Sequence, residues 1–95
     1  MKFYIAGPMT GLPQFNRPAF HDAADRLSDQ GHVALNPATL PDGLSQFEYM
    51  DICLAMLRCA DAILLLKNWD LSAGARAEKA LAEKLNLHIL HEEIL

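Results

Sequence analysis

The feature that most constrains the fold is an uninterrupted apolar run at residues 62–66, directly followed by a turn and a segment of small residues and helix formers. A continuous run of this kind is typical of a strand covered on both faces, as in a parallel sheet. Strand-like segments also lie at residues 2–6, 32–35 and 88–90, and helical patterns separate them. This alternation predicts a parallel sheet with right-handed crossovers.

The three intervening segments carry the marks of helices. In the first, Asn16 can act as the N-cap and Gly31 as the C-terminal cap. Its apolar residues recur at the spacing of one helix face: Phe20, Ala23, Ala24 and Leu27. The other two helices are expected at 46–58 and 73–85. We therefore predict an α/β fold over a single domain, residues 1–95. It is a small flavodoxin-like or Rossmann-like parallel sheet of about four strands in the order 2-1-3-4, with helices on both faces.

The helix expected at 46–58 is apolar on more than one face. Its apolar residues are Phe47, Met50, Ile52, Cys53, Leu54, Met56 and Leu57. A helix that is apolar over much of its circumference is buried on two sides. Because a chain of 95 residues has a limited core of its own, we interpret the second side as a subunit contact. The sequence thus predicts a homo-oligomer, most simply a dimer.

Composition excludes several kinds of partner and site. The eight Lys and Arg residues form no basic stripe and the net charge is −4, so we expect no nucleic-acid polymer as partner. Cys53 and Cys59 lack the spacing of a metal site, and we expect no metal or other cofactor. Reduced thiols, the lack of a signal-peptide pattern and the lack of an apolar run of about 20 residues predict a cytoplasmic protein without membrane contact.

Two turns rich in small residues come directly after predicted strands. One begins with Gly7, Pro8 and Met9, and the other runs from Ser72 to Glu78. The carboxyl ends of parallel strands share one edge of the sheet, and such sheets bind ligands there. The sequence therefore predicts that both turns belong to one ligand site.

The second turn has the chemistry of a phosphate site. Ser72 and the amides near Gly74 would lie at a helix N-terminus, which offers free N–H groups and positive potential. Alternatively, Ser72 serves only as an N-cap. Gly7 either lets the backbone approach a ligand closely or is a plain turn glycine.

Glu78 is the acidic residue that the second turn brings to this edge. It falls in the early turns of the third helix, where the macrodipole favours an ionised carboxylate. From position alone, Glu78 is either a solvated helix residue or a carboxylate that acts on the ligand.

In their order and spacing these motifs resemble the nucleoside 2-deoxyribosyltransferase-like superfamily. Within it, the chain is most similar to small bacterial and phage proteins called domain of unknown function 4406. Three segments carry the resemblance: Tyr4-Ile5-Ala6-Gly7-Pro8, Cys59-Ala60-Asp61-Ala62-Ile63, and Ser72-x-Gly74-x-x-x-Glu78. It covers nearly the whole chain.

The resemblance implies cleavage of an N-glycosidic bond in a nucleoside or nucleotide, or transfer of its deoxyribosyl group. Glu78 would be the nucleophile. Cleavage builds positive charge on the sugar in an oxocarbenium-like transition state, and a carboxylate beneath the anomeric carbon can stabilise or attack that centre. Tyr4 matches a tyrosine that reaches the sugar or the nucleophile, although it can also be a half-buried strand aromatic. Asp51 lies in the region where the family places an aspartate near the sugar or base.

Two further residues near the second turn are candidates for substrate binding. Arg76 can pair with a phosphate or be a solvated helix arginine. Trp69 can stack on a base at the mouth of the pocket or cover the core.

Three functional hypotheses follow. The first is the N-glycosidase or transferase, and the second is a protein that senses or sequesters a nucleotide without cleaving it. The third is a structural partner protein. The second hypothesis stays open because Lys79 and Ala80 follow the glutamate where the enzymes commonly have an apolar residue and a glycine.

Overall fold

The computed structural model describes residues 1–94, and a four-stranded parallel sheet runs through its centre. The strands are β1 (Lys2–Ala6), β2 (Val33–Leu35), β3 (Ala62–Leu65) and β4 (His88–His91). The helices are α1 (Arg17–Asp29), α2 (Gln46–Arg58) and α3 (Ala73–Lys84). Short 3₁₀ helices cover Pro13–Asn16, Pro37–Thr39, Trp69–Leu71 and Glu92–Ile94. The strand order is β2-β1-β3-β4, which confirms the predicted order and fold class.

The two central strands, β1 and β3, are buried along almost their whole length. They pair in parallel, with Tyr4 opposite Ile63 and Ala6 opposite Leu65. Every residue of β3 is buried, which explains its continuous apolar sequence. These two strands form the rigid base on which the loops at their carboxyl ends are held.

Helices cover both faces of the sheet, as predicted. On one face, α1 packs Phe20, Ala23 and Leu27 against the sheet. On the other, α2 contributes Cys53 and Leu57, and α3 contributes residues such as Ala75 and Ala82. The chain runs from β1 outward to β2 and from β3 outward to β4, in opposite directions. Right-handed crossovers therefore place α1 and α3 on opposite faces.

The helix ends follow local capping chemistry. The Ser45 hydroxyl accepts a hydrogen bond from the Glu48 amide, and the Glu48 carboxylate accepts one from the Ser45 amide, a reciprocal capping box at the start of α2. Gly31, with φ +85°, follows the end of α1 as expected. Asn16 is the N-cap residue of α1, as expected, but its side chain makes no capping hydrogen bond. Its backbone is left-handed (φ 58°), and its amide instead donates to the Pro8 carbonyl at 2.9 Å.

After β1 the chain continues toward one edge of the sheet and after β3 toward the other, and this creates a topological switch point between the two parallel strands. The loops that leave these two strands diverge toward opposite faces of the sheet, and a crevice opens between them. The cavity described next lies in this crevice.

Candidate active site

A cavity of about 400 Å³ lies at the carboxyl edge of β1 and β3. That volume falls in the usual range for small-molecule pockets, about 300–1,000 Å³. One wall comes from the first strand and turn and from the start of α3: Tyr4, Ile5, Gly7, Met9, Thr10, Ser72, Gly74, Ala75 and Glu78. The other comes from α1 and the 3₁₀ helix before it and from the loop and helix after β2: Phe15, Arg17, Phe20, Pro37, Leu40, Asp42, Gly43, Leu44, Gln46 and Tyr49.

A buried hydrogen bond joins the two candidate catalytic residues. The Tyr4 hydroxyl donates to Oε2 of Glu78 at 2.5 Å. Tyr4 is 1% exposed and Glu78 is 7% exposed, although both contribute to the cavity wall. Ala75 and Glu78 are three residues apart on α3 and both are buried, so they lie on the helix face that packs against β1. The geometry thus joins two residues that are 74 positions apart in the chain.

The electrostatics of Glu78 differ from the expectation. Burial raises its pKa from an ordinary 4.5 to about 7, and the hydrogen bond from Tyr4 opposes only part of that rise. The expectation of an ionised form rested on the helix macrodipole, which falls off after the first turn. Glu78 is the sixth residue of α3 and lies in its second turn, where desolvation is the larger effect. At neutral pH the carboxyl group therefore exchanges between its protonated and ionised forms.

Tyr4 is the fixed donor of the pair. Burial and the neighbouring Glu78 carboxyl group raise its pKa well above the ordinary value. The phenol therefore keeps its proton at any physiological pH and can always donate to Glu78. The Cys53 thiol also lies close to Tyr4, and burial raises its pKa too. The sequence did not indicate this neighbour.

The start of α3 has free hydrogen-bond donors at the cavity. Ser72 is the N-cap, and its hydroxyl accepts a hydrogen bond from the Ala75 amide at 3.2 Å. The preceding amides of the first turn, those of Ala73 and Gly74, have no acceptor within the helix. A Cβ added at Gly74 would contact only the Ser72 hydroxyl oxygen, at 3.8 Å. Protein packing therefore does not require a glycine at this position.

Gly7 is a glycine for a different reason. A Cβ at this position would come within 2.9 Å of the Leu66 Cβ, closer than real Cβ contacts allow. The absent side chain lets the first turn pack against the end of β3. Gly7 thus lets the loop after β1 lie close to the end of β3, and it also lines the cavity.

The structure assembles six of the ten residues that we singled out from the sequence. Those that line the cavity are Tyr4, Gly7, Met9, Ser72, Gly74 and Glu78. Among the remaining four, Pro8 lines a smaller neighbouring pocket. Arg76 donates from Nη1 to the Asp70 carbonyl at 2.8 Å, and Asp51 is exposed on α2.

Trp69 lies beside the core that α2 and α3 cover. Its half-buried ring packs against that core, and Lys79 Nζ lies 5.4 Å from the ring centre. It is not among the residues that line the cavity. This placement matches the alternative in which the indole covers the core.

The second wall was missed in the sequence. Arg17 Nη2 donates to Asp42 Oδ1 at 2.5 Å, and the guanidinium carbon lies 5.3 Å from the centre of the Phe15 ring. The Tyr49 hydroxyl donates to the Pro41 carbonyl at 2.6 Å and so ties α2 to the loop before it. One signal was present: residues 37–45 also follow the carboxyl end of a parallel strand, and such loops share one edge.

The described part of the chain also bears on metals and membranes. Within residues 1–94, no group of three or more His, Cys, Asp or Glu side chains could hold a metal ion. No helix in this range is long and apolar enough to cross a bilayer.

Strand order, helix placement and the cavity at the switch point define a flavodoxin-like α/β fold, and comparison with solved structures agrees. The chain matches a 2-desoxiribosyltransferase from Leishmania mexicana with a TM-score of 0.77 and 20% sequence identity. The match covers 95% of this chain but 62% of that protein, and at this identity the likeness shows the fold.

The sequence places the chain more specifically. It belongs to the family described as Domain of unknown function (DUF4406), whose model matches residues 1–91. No curated protein matches it significantly. The family match confirms the resemblance to domain of unknown function 4406 that the sequence motifs indicated, and the structural match confirms the fold.

Proposed function

We propose that this protein cleaves the N-glycosidic bond of a nucleoside or nucleotide, or transfers the deoxyribosyl group, with Glu78 as the nucleophile. The observation that supports this most is the buried hydrogen bond between Tyr4 and Glu78 in the cavity wall, next to the open N-terminus of α3. A carboxyl group with a pKa near neutrality, held by a tyrosine, is unusual for a purely structural residue and typical of catalytic sites.

The proposed reaction has two steps. The ionised Glu78 carboxylate attacks the anomeric carbon, and the carbon–nitrogen bond breaks. The base leaves with the bonding electron pair and takes up a proton, and a glycosyl ester forms on Glu78. Water, or a nitrogen of a second base, then attacks the same carbon, loses a proton and releases the carboxylate. Tyr4 keeps the carboxylate oriented toward the sugar in both steps.

The start of α3 provides the other half of the proposed site. Ser72 and the free amides at Ala73 and Gly74 are suited to a 5′-phosphate, because a helix N-terminus combines N–H donors with positive potential. Gly7 and Met9 line the cavity next to Tyr4 and would lie along the sugar. Such a cradle would fix the anomeric carbon relative to Glu78.

A direct assay tests this proposal. The protein is incubated with a panel of 2′-deoxynucleosides and their 5′-monophosphates, with and without a second free base. Released or exchanged base is followed by chromatography, and binding is measured by calorimetry. We expect base release or base exchange from at least one member of the panel. Binding without either would reject the enzyme hypothesis, and no binding at all would reject a nucleotide site.

A nucleotide-binding protein without turnover is the second candidate, and the protonated form of Glu78 is the observation that supports it. With a pKa of about 7, a large fraction of the carboxyl group is protonated at neutral pH and is not a nucleophile in that form. The protonated form can instead donate a hydrogen bond to a ligand. The assay separates the two candidates because only the enzyme releases or exchanges base.

A substitution at Gly74 tests the phosphate cradle, and it has opposite expected effects on stability and binding. Gly74→Ala should stabilise the fold by about 0.5–1 kcal/mol, because alanine loses less entropy in a helix and has room here. The same methyl group would hinder a phosphate at the amides, and binding of a 5′-monophosphate should weaken about tenfold or more. Urea unfolding and calorimetry measure the two effects. The unphosphorylated nucleoside is the matched control ligand, and an equal loss for both ligands would contradict the cradle.

We also propose that the protein is a homodimer through α2. Phe47 is 85% exposed on this helix and Ile52 is 37% exposed, so apolar surface remains uncovered in the single chain. Phe47→Glu should convert a dimer into a monomer in sedimentation at high micromolar concentration. Leu85→Glu, at the exposed apolar residue that directly follows α3, is the matched control. A wild-type monomer at that concentration would contradict the proposal.

A further inference from the structure

Arg17 is held in an unusual environment on the second wall of the cavity. It follows three consecutive residues with left-handed backbones, Gln14, Phe15 and Asn16, at φ 55°, 53° and 58°. Left-handed conformations are unfavourable for residues other than glycine, so this turn needs support from its surroundings. It positions the Phe15 ring against the guanidinium group and orients the side chain toward Asp42.

The Arg17 side chain is 29% exposed, and its guanidinium group is only partly used by the protein. Within residues 1–94, it donates one hydrogen bond, from Nη2 to Asp42. Its Nε is buried without a partner there, and no protein group in this range accepts a hydrogen bond from Nη1. Because protein atoms enclose Nε, the donors left for a ligand at the cavity wall are those of Nη1 and the second hydrogen of Nη2.

Asp42 presents complementary acceptors beside this fork. Its side chain is 74% exposed, and only Oδ1 is engaged by Arg17. The cavity lining therefore places the guanidinium N–H donors of Arg17 directly beside the carboxylate oxygens of Asp42, which are acceptors. The ion pair keeps the two groups side by side and leaves part of each free.

We propose that Arg17 and Asp42 recognise the base of the substrate and that this base is a 6-oxopurine, with guanine preferred. This inference rests on the proposed function. With the sugar over Glu78 and the phosphate at the start of α3, the base would extend into the rest of the cavity, whose lining includes Arg17 and Asp42.

The edge of guanine matches this row of groups. Its N7 and O6 atoms accept hydrogen bonds, and its N1–H and 2-amino groups donate them. A forked arginine binds N7 and O6, as it does when proteins read guanine in DNA, and the neighbouring carboxylate accepts from N1–H and the 2-amino group. Hypoxanthine lacks the last donor. Adenine has an amino group in place of O6 and an acceptor at N1. It would therefore place a donor against Arg17, which donates, and an acceptor against Asp42, which accepts.

The same geometry argues against a second phosphate at Arg17. A phosphate would lie beside the Asp42 carboxylate, and like charges in contact repel. A neutral heterocycle with both acceptors and donors avoids that repulsion. Arg17 and Asp42 are therefore positioned for specificity rather than for charge neutralisation.

Binding measurements with a non-cleaving protein test this inference. In the Glu78→Gln background, calorimetry compares the 5′-monophosphates of deoxyguanosine, deoxyinosine, deoxyadenosine and deoxycytidine. We expect deoxyguanosine monophosphate to bind about tenfold or more tighter than the adenine and cytosine nucleotides, with the hypoxanthine nucleotide between them. Adding Arg17→Gln should remove this preference. Adding Asp42→Asn should selectively weaken guanine and bring its affinity close to that of hypoxanthine.

The controls separate this inference from the proposed function. Arg26→Gln changes another α1 arginine, which pairs with Asp22 and Glu92 and does not line the cavity, and it should leave the preference unchanged. If nucleotides bind without a guanine preference, or if Arg17→Gln weakens all four equally, the inference is overturned while the proposed function stands. If no nucleotide binds, both are overturned. Asp42 is mostly exposed, so Asp42→Asn remains informative even if Arg17→Gln fails to fold.

Discussion

Glu78→Gln is expected to abolish base release while leaving nucleotide binding largely intact. The amide has the shape of the carboxyl group, and its oxygen can still accept the hydrogen bond from Tyr4. It cannot form the glycosyl ester or carry the negative charge that the transition state requires. Only interactions that strengthen in the transition state contribute to rate, so the loss should appear in turnover rather than in affinity. We expect a fall of at least about 10⁴-fold in kcat, the scale found when a nucleophile is removed.

Chromatography of released base and calorimetry with a 5′-monophosphate give the two measurements. Glu83→Gln is the matched control, because Glu83 lies on the same helix, is exposed and, among residues 1–94, forms an ion pair with Lys79 alone. It should keep full activity. Turnover that survives in Glu78→Gln would show that another group is the nucleophile, and the mechanism inferred from the family resemblance would then not apply to this chain.

The sequence predicted the fold well because its signals are local. Each strand contains a short apolar stretch, and helical periodicity and cap residues such as Gly31 and Ser72 mark the helices between them, so the alternation could be followed without knowledge of distant contacts. Residues 62–66 alone indicated a strand buried on both faces, and the structure places β3 at the centre of the sheet. Parallel strands with right-handed crossovers then leave few arrangements. Boundaries differed by a residue, as at β3, which ends at Leu65.

The candidate site could be predicted only where a local motif marks its residues, as in the first turn at Gly7 and the helix start at Ser72. Ser72, Gly74 and Glu78 share one turn and helix start, so a motif reveals them. Arg17 and Asp42 come from separate segments and meet only through tertiary packing. Their pairing leaves no local signal in the sequence.

The rotation of each helix about its axis explains why the environments of Asp51 and Glu78 differ from the predictions. Asp51 is two residues before the buried Cys53, which places it about 200° from Cys53 around the axis of α2, on the exposed side. Glu78 was expected to be ionised because of its place near a helix start. The rotation of α3 instead turns it inward against Tyr4, and that burial decides its pKa. Both outcomes depend on which face of a helix meets the sheet.

The same burial should make the protein less stable as the pH rises from about 4.5 to about 7. The pKa of Glu78 is 4.5 as its ordinary value and about 7 in the folded protein. In this interval the folded state holds a proton that the unfolded state has already released. The free energy of unfolding therefore falls as the pH increases, by about 1.4 kcal/mol per unit and about 3 kcal/mol in total. Below 4.5 the stabilisation is fully present, and above 7 it is lost.

Urea unfolding at pH 4.5, 6 and 8 measures this dependence, and the Glu78→Gln variant isolates it. Glutamine does not titrate, so the variant should lack this slope. Its free energy of unfolding at pH 8 should exceed that of the wild type by up to about 3 kcal/mol. Glu83→Gln should keep the wild-type slope. Turnover should change in the opposite direction, rising through about pH 7 as the nucleophile ionises. Stability would then fall over the range in which activity appears, because both follow the same buried carboxyl group. Parallel slopes in the wild type and Glu78→Gln would contradict this assignment.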